Sequence, residues 1–500
     1  MLLTPRTTPQ TKAPRRTVRI ATALLAAAAS ASLLAASAPS PATPLGIGDP
    51  LFPHLGNPGY DVTSYDISFT YHGSNTKPLD AVTVIDARAT APMERVNLDF
   101  AHGKVRSVRV NGAAARFDST GQDLVVTPAR PVARGDRMRI TVHHTSDPVP
   151  AKDAEGGWVQ TGDGLAMANQ ADAAHRVFPC NDHPSDKAAY TFRVTAPRDV
   201  TVAANGLPAA KPVTRSGGGA TTWTFRTHHP MATELAQVSL GRSEVVHRAG
   251  PHGLPVRDVV PAKDRHSMER WLKKTPGQIG WMEGKVGRYP FETYGVLVAE
   301  AQTGFELETQ TLSLFEKQLF TANEYPEWYV DSIMVHELAH QWFGDSVSPR
   351  AWSDLWLNEG HATWYEALYA QEKAQQSLET RMKDAYRQSD HWRAAGGPPA
   401  APKAPDAGQK ISIFRPVVYD GSALVLYALR QEIGQRSFDR LEREWVRTHR
   451  DGTATSADFQ RMASRVAGRD LGAFFQGWLY GAKTPPMPGH PDWRTAEPGH

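Results

Sequence analysis

The chain has 500 residues, too many for one ordinary domain, so two or three domains are expected and a substantial core can form. Hydrophobic residues at 40% and charged residues at 21% exclude a disordered or fibrous chain. The formal charge of +3 owes everything to Arg6, Lys12, Arg15, Arg16 and Arg19, five bases in a stretch with no acid; setting them aside leaves −2, which removes the electrostatic case for nucleic acid or an anionic membrane as partner.

In chain order, the basic start is followed by an apolar Ala/Leu stretch from Ile20 to Ala36 and by the small residues Ala36, Ser37 and Ala38. This layout predicts a secretory signal peptide over residues 1–38, and hence a secreted protein. The apolar stretch falls short of the roughly 20 residues a bilayer demands, so no stable membrane anchor is expected after cleavage. Arg15 and Arg16 leave the general and twin-arginine routes both open. Residues 39–58, rich in Pro and Gly without apolar periodicity, read as a linker.

From residue 59 to about 255, short alternating segments recur between Gly, Asp, Asn and Pro turns: Val62 to Tyr71, Ala81 to Ala89, Leu124 to Thr127 and Met138 to His144. Their spacing predicts an antiparallel β domain. Cys180, the single cysteine, excludes an intrachain disulfide and reads as a buried structural thiol in the apolar run Val177 to Cys180. Beyond the boundary near 255 the texture becomes helical, starting with His266 to Trp281, apart from an extended segment at Tyr294 to Phe315. Ala394 to Ala407, almost all Ala, Gly and Pro, is expected to be an exposed loop.

The chemistry is carried by His336-Glu337-Leu338-Ala339-His340, within the Gly- and Pro-free run Asp331 to Phe343. On a helix, positions i and i+4 share a face, so both imidazoles point toward one spot, and Glu337 can reach a metal-activated water without occupying the metal. Alone, this pattern also occurs as two solvated histidines on an ordinary helix. Glu359 follows His340 after 18 residues, in Trp356-Leu357-Asn358-Glu359-Gly360, at the start of the helical stretch His361 to Lys373. Two packed helices would bring that carboxylate back to the histidines and complete a three-ligand zinc site, one Zn2+ per chain, with an open position. Glu337 is the expected general base.

At this point the sequence resembles the aminopeptidase N family of zinc metallopeptidases, which also contains leukotriene hydrolase. The resemblance rests on His336 through Gly344 and on Trp352 through Gly360, and Asn358-Glu359-Gly360 separates it from thermolysin-like endopeptidases that share the first motif. It implies an α+β multidomain fold, with an amino-terminal antiparallel β-sheet domain at 59–255 followed by a thermolysin-like, mostly helical catalytic domain at 256–490. It also implies further site residues. Gln170 falls where the family contacts the substrate's free amine. Gly304-Phe305-Glu306-Leu307-Glu308-Thr309 looks like a variant of the family's Gly-Ala-Met-Glu-Asn motif, which makes Glu308 the recogniser of the α-ammonium, with Phe305 and Thr309 as departures. Phe305 to Leu314 would pair with peptide backbone as an added strand. Tyr419 is similar to the family's catalytic tyrosine, a donor to the oxyanion, whereas Tyr427 reads as core. Trp342, Trp356, Trp364 and Tyr365 also read as core. Many members carry a large carboxy-terminal helical domain for which no length is left here, so a more open cleft is expected.

The expected activity is removal of amino-terminal residues from peptide substrates. Two alternatives stand beside it: a zinc endopeptidase or hydrolase of another substrate on the same fold, and a binding protein that has lost catalysis.

Overall fold

The computed structural model describes residues 46–148, 156–214, 219–404 and 413–496. The expected signal peptide lies outside them. Alternation of buried and exposed residues, as in Tyr60–Thr70 and Leu79–Ala89, builds an eleven-stranded sheet whose middle strands run in the order Ala189–Pro197, Tyr60–Thr70, Leu79–Ala89, Arg137–Ser146, Val105–Val110. Its pairs are antiparallel except for Tyr60–Thr70 against Ala189–Pro197, which are parallel, a departure from the purely antiparallel expectation. Parallel strands cannot be joined by a tight hairpin, and a long excursion separates these two. A second, four-stranded sheet takes Gly157–Gln160 and Leu165–Ala168 from this excursion and Thr201–Ala204 and Val238–Gly241 from beyond it. The apolar faces enclose one core, with Cys180 buried in it.

The boundary expected near 255 falls inside a hairpin, because Ser243–Ala249 pairs with Pro255–Pro261. That hairpin continues in a parallel sense into Val296–Ala299 and Ser313–Glu316, and Val246, Val256 and Val260 pack in the helical core. The second domain's sheet therefore opens at Ser243. His266 to Trp281 divides into two helices, Arg265–Leu272 and Thr275–Val286, with Pro276 admitted in the first turn of the second. Helices Glu327–His340, Trp356–Ala374, Leu378–Gly396 and Asp420–Ile433 pack on one another, and Trp342, Trp356, Trp364 and Tyr365 fill the core between them. Among the described residues no helix is long and apolar enough to cross a membrane.

Three expectations are corrected. Residues 46–58 are no linker: Asp49, Leu51, Phe52, Leu55 and Asn57 are buried, because a Pro/Gly-rich composition blocks regular structure without blocking packing. The Ala394–Ala407 segment is not an exposed loop over its described part. The helix runs on to Gly396, Gly397, Pro399, Ala400 and Pro402 are buried, and Ala400 N donates to Leu479 O at 3.1 Å. Finally, Phe305 to Leu314 is not one extended segment. Leu307 and Leu314 pair across a tight turn at Thr309–Leu312, with Thr311 at φ 69°.

Candidate active site

The Glu327–His340 helix has apolar residues on every side, Val330, Met334, Val335, Leu338 and Ala339 all being buried, as expected of a helix inside a core. His336 and His340 therefore emerge in the interior, one turn apart, with ring centroids 4.9 Å from each other. The Trp356–Ala374 helix lies against it and presents Glu359 from its first turn. Glu359 Oε2 is 3.3 Å from His336 Nε2 and 3.4 Å from His340 Nε2. Donor atoms of His336, His340 and Glu359 all fall within 4.8 Å of one another, a spread that could hold one metal ion.

The outer ring nitrogens are already engaged. His336 Nδ1 faces Glu366 Oε2 at 3.0 Å, and His340 Nδ1 faces the Phe343 carbonyl at 3.1 Å. Both partners accept, so both Nδ1 atoms carry the proton and both Nε2 lone pairs are left for a metal. Glu366 is held in turn by Arg381, whose Nη1 donates to Glu366 Oε1 at 2.6 Å while its Nε donates to Asp420 Oδ1 at 2.7 Å.

The charges show what this pocket favours. Burial alone would raise the Glu359 pKa, but the two imidazoles overcome it and hold the carboxyl at about 2. Burial would lower the histidines, but Glu359 and Glu366 keep His336 protonated up to about 9, and Glu308 and Glu359 do the same for His340. Without metal, protons would thus supply the positive charge that the buried carboxylates demand. A divalent cation supplies it better, since an uncompensated buried ion costs on the order of several kcal/mol. Glu337, with Oε2 unpartnered by protein, is pushed above the usual carboxylate range by burial and by Glu308 and Glu359, against an opposing pull from His340; a bound cation reverses that bias. Burial and four neighbouring carboxylates raise Tyr419 well above its usual value, so its phenol stays protonated and able to donate.

The remaining expected residues converge on the same cavity of about 580 Å³, which Gln170, Glu308, Glu337 and Tyr419 line together with His336, His340 and Glu359. The Tyr419 ring sits 6.1 Å from that of His336. Tyr427 is buried away from this cavity, its hydroxyl 2.9 Å from His490 Nε2. Glu308 is buried, with Oε1 accepting from Gln170 Nε2 at 2.7 Å and lying 4.0 Å from His340 Nδ1. The side chain of Gln341, next to the second histidine, fixes the turn that carries it. Gln341 Nε2 donates to Glu308 O at 3.0 Å, and its Oε1 accepts from Thr311 N at 2.9 Å and from the Tyr289 hydroxyl at 3.0 Å. A second cavity of about 850 Å³ meets the first at Gln170 and Phe305.

Four contributors escaped sequence reasoning: Glu366, Arg381, Asp420 and the Gln341 side chain. Glu366 had a signal, because it stands seven residues after Glu359 and so on the same helix face. Arg381 and Asp420 had none, since they come from two further helices.

A β-sheet domain set against a helical domain with a buried His, His, Glu triad defines a zinc metallopeptidase. The chain belongs to peptidase family M1: residues 63–235 match the model of the M1 N-terminal domain and residues 272–478 that of the M1 domain. The chain is 22% identical over 434 residues to a probable aminopeptidase 1 of Saccharolobus solfataricus, covering 84% of this chain and 53% of that protein. It is 25% identical over 308 residues to human glutamyl aminopeptidase, covering 59% of this chain and 32% of the relative. The chain thus spans about half or less of the length of these curated relatives. The crystal structure of an M1 zinc metallopeptidase from Deinococcus radiodurans superimposes with a TM-score of 0.74 at 27% identity, covering 89% of this chain and 98% of that one. A mutant of that enzyme, bound to a Tyr-Ser-Ala substrate, gives 0.75 at the same identity.

Proposed function

We propose that the chain is a zinc aminopeptidase that releases amino-terminal residues from peptides, with His336, His340 and Glu359 holding the ion. The observation that carries this reading is the buried Glu308 carboxylate, bonded to Gln170 at 2.7 Å and only 4.0 Å from His340. An anion so near the metal triad suits a substrate ammonium, and a peptide anchored there has its first peptide bond over the metal ligands. The Tyr-Ser-Ala substrate bound by the Deinococcus radiodurans relative, a short peptide, supports it.

Zinc, when bound, supplies a Lewis acid that acidifies water and polarises a carbonyl. The chain's own groups do the rest. Glu337 takes the proton of the attacking water at its carboxylate and returns it to the leaving amine. Tyr419 donates its hydroxyl proton in a hydrogen bond to the oxygen that becomes negative as the carbonyl turns tetrahedral. Glu308 and Gln170 hold the amino terminus, which limits cleavage to one residue at a time.

We further propose export, on the strength of the leader at residues 1–38, and peptides as the partners.

The reading is tested with chromogenic aminoacyl substrates bearing a free amine, their N-acetylated twins, and a chelator. Cleavage of the free-amine set alone, lost with chelator and restored by zinc, is expected. Equal cleavage of both sets would deny Glu308 its role and favour endopeptidase action, for which the 850 Å³ cavity beyond Gln170 and Phe305 has room.

A further inference from the structure

Residues 46–58 precede both family-model matches, yet Asp49, Leu51, Phe52, Leu55 and Asn57 within them are buried. Asp49, 4% exposed, is the centre. Its Oδ1 accepts from Leu51 N at 2.8 Å and Phe52 N at 3.1 Å, which closes a local turn. Its Oδ2 accepts from Trp352 N at 2.9 Å and lies 3.2 Å from His183 Nε2. His183 Nδ1 accepts from Ser185 N at 3.2 Å, so Nε2 carries the proton and donates to Asp49. One carboxylate therefore joins the β domain, through His183, to the backbone just ahead of the helix that carries Glu359.

The turn that Asp49 closes delivers three apolar side chains to the same place. Leu51, Phe52 and Leu55 cluster with Ala171, Trp352, Leu355, Ile413, Val417 and Val418, and Tyr419 lies against that cluster. Phe52 meets the Trp352 indole edge-on at 5.7 Å between centroids. Downstream, Asn57 ties the segment to the β domain, its N donating to Asn181 Oδ1 at 2.6 Å and its Nδ2 to Asp99 Oδ2 at 2.9 Å. The segment touches three places within two turns of the chemistry: Ala171 beside Gln170, Trp352 and Leu355 ahead of Glu359, and Val417 and Val418 ahead of Tyr419.

We infer that residues 46–57 form a strap in which Asp49 and Phe52 are positioning residues, setting Glu359 and Tyr419 in register with the β domain. Processing of the amino terminus must stop short of Asp49 for the site to remain assembled. The activity arm of the test rests on the reaction proposed above; the metal arm does not.

The experiment compares full-length Asp49→Ala, Asp49→Asn, Phe52→Ala and Phe52→Leu with the unmodified chain. It measures zinc dissociation constants by chelator competition, and kcat and KM per zinc-loaded molecule on a free-amine substrate. Asp49→Ala is expected to lower kcat by about 10- to 100-fold with KM held within about twofold, since small misplacements near reacting groups act on kcat. Zinc binding should weaken by about tenfold, the scale of lost outer support for a ligand. Phe52→Leu should recover most of what Phe52→Ala loses. Should Asp49→Ala not fold, Asp49→Asn decides, because its amide must present NH₂ to a backbone or imidazole donor at one end. If kcat per zinc-loaded molecule and the zinc constant both match the unmodified chain, whatever happens to the melting temperature, the strap is mere packing and the inference falls. An unmodified chain that binds zinc but cleaves no free-amine substrate sinks the proposed reaction instead, and the zinc constants still judge Asp49.

Discussion

Glu337 and Tyr419 sit in the same cavity, yet their removal should fail in different ways. Glu337→Gln keeps the shape and cannot take a proton. It should lower kcat by about 10²- to 10⁴-fold while zinc content, measured by atomic absorption, stays stoichiometric. Tyr419→Phe removes only a hydrogen-bond donor to developing charge, so kcat should fall by about 10²- to 10³-fold with KM nearly unchanged in steady-state kinetics. Proton competition at the triad sets a pH dependence of metal binding. His336 and His340 each hold a proton up to about 9 in the absence of metal, so zinc must displace it. Zinc affinity should therefore rise with pH, by about tenfold per unit for each proton released, and level off near 9. Competition with a chelator of known affinity between pH 6 and 9 checks the slope, and a flat profile would mean the ring nitrogens are already free.

Between elements, the Trp356–Ala374 helix contributes twice to one histidine, Glu359 at its inner nitrogen and Glu366 at its outer one. The Leu378–Gly396 and Asp420–Ile433 helices join through Arg381, which links Glu366 to Asp420, the neighbour of Tyr419. Glu366→Ala should loosen zinc by about 10- to 100-fold through loss of the ring's orientation, read out by the same chelator competition. The helices of the two histidines and of Glu359 were legible in the sequence because a Gly- and Pro-free run and helical periodicity are local signals. Their cross-links were not: that Arg381 meets Glu366 and Asp420 depends on how three helices pack. The tight turn at Thr309–Leu312 was hidden for a related reason, since Gln341, from another element, holds it.

For the whole molecule, the junction of the two domains is polar and buried. Lys187, from the β domain, donates from Nζ to Asp345 O at 2.7 Å and Ser346 O at 3.0 Å, just past the helix of the two histidines. Burial pushes its pKa down to about 8 against the pull of Asp451 and Asp345. Lys187→Ala leaves a buried carbonyl unsatisfied and should cost about 2–3 kcal/mol, seen as a lower denaturant midpoint. What the sequence alone determined is local: the two histidines at i and i+4 with the carboxylate between them, and the division into a β and a helical part by period, while Glu308 and Tyr419 were reached only as candidates through resemblance. What only the tertiary structure decided is everything joined across distance: Gln341 under Glu308, Arg381 between Glu366 and Asp420, and Asp49 on Trp352, 303 residues away. Periodicity and spacing report the geometry a chain imposes on its near neighbours, whereas a hydrogen bond between remote residues exists only after the core has packed and left a buried donor in need of an acceptor.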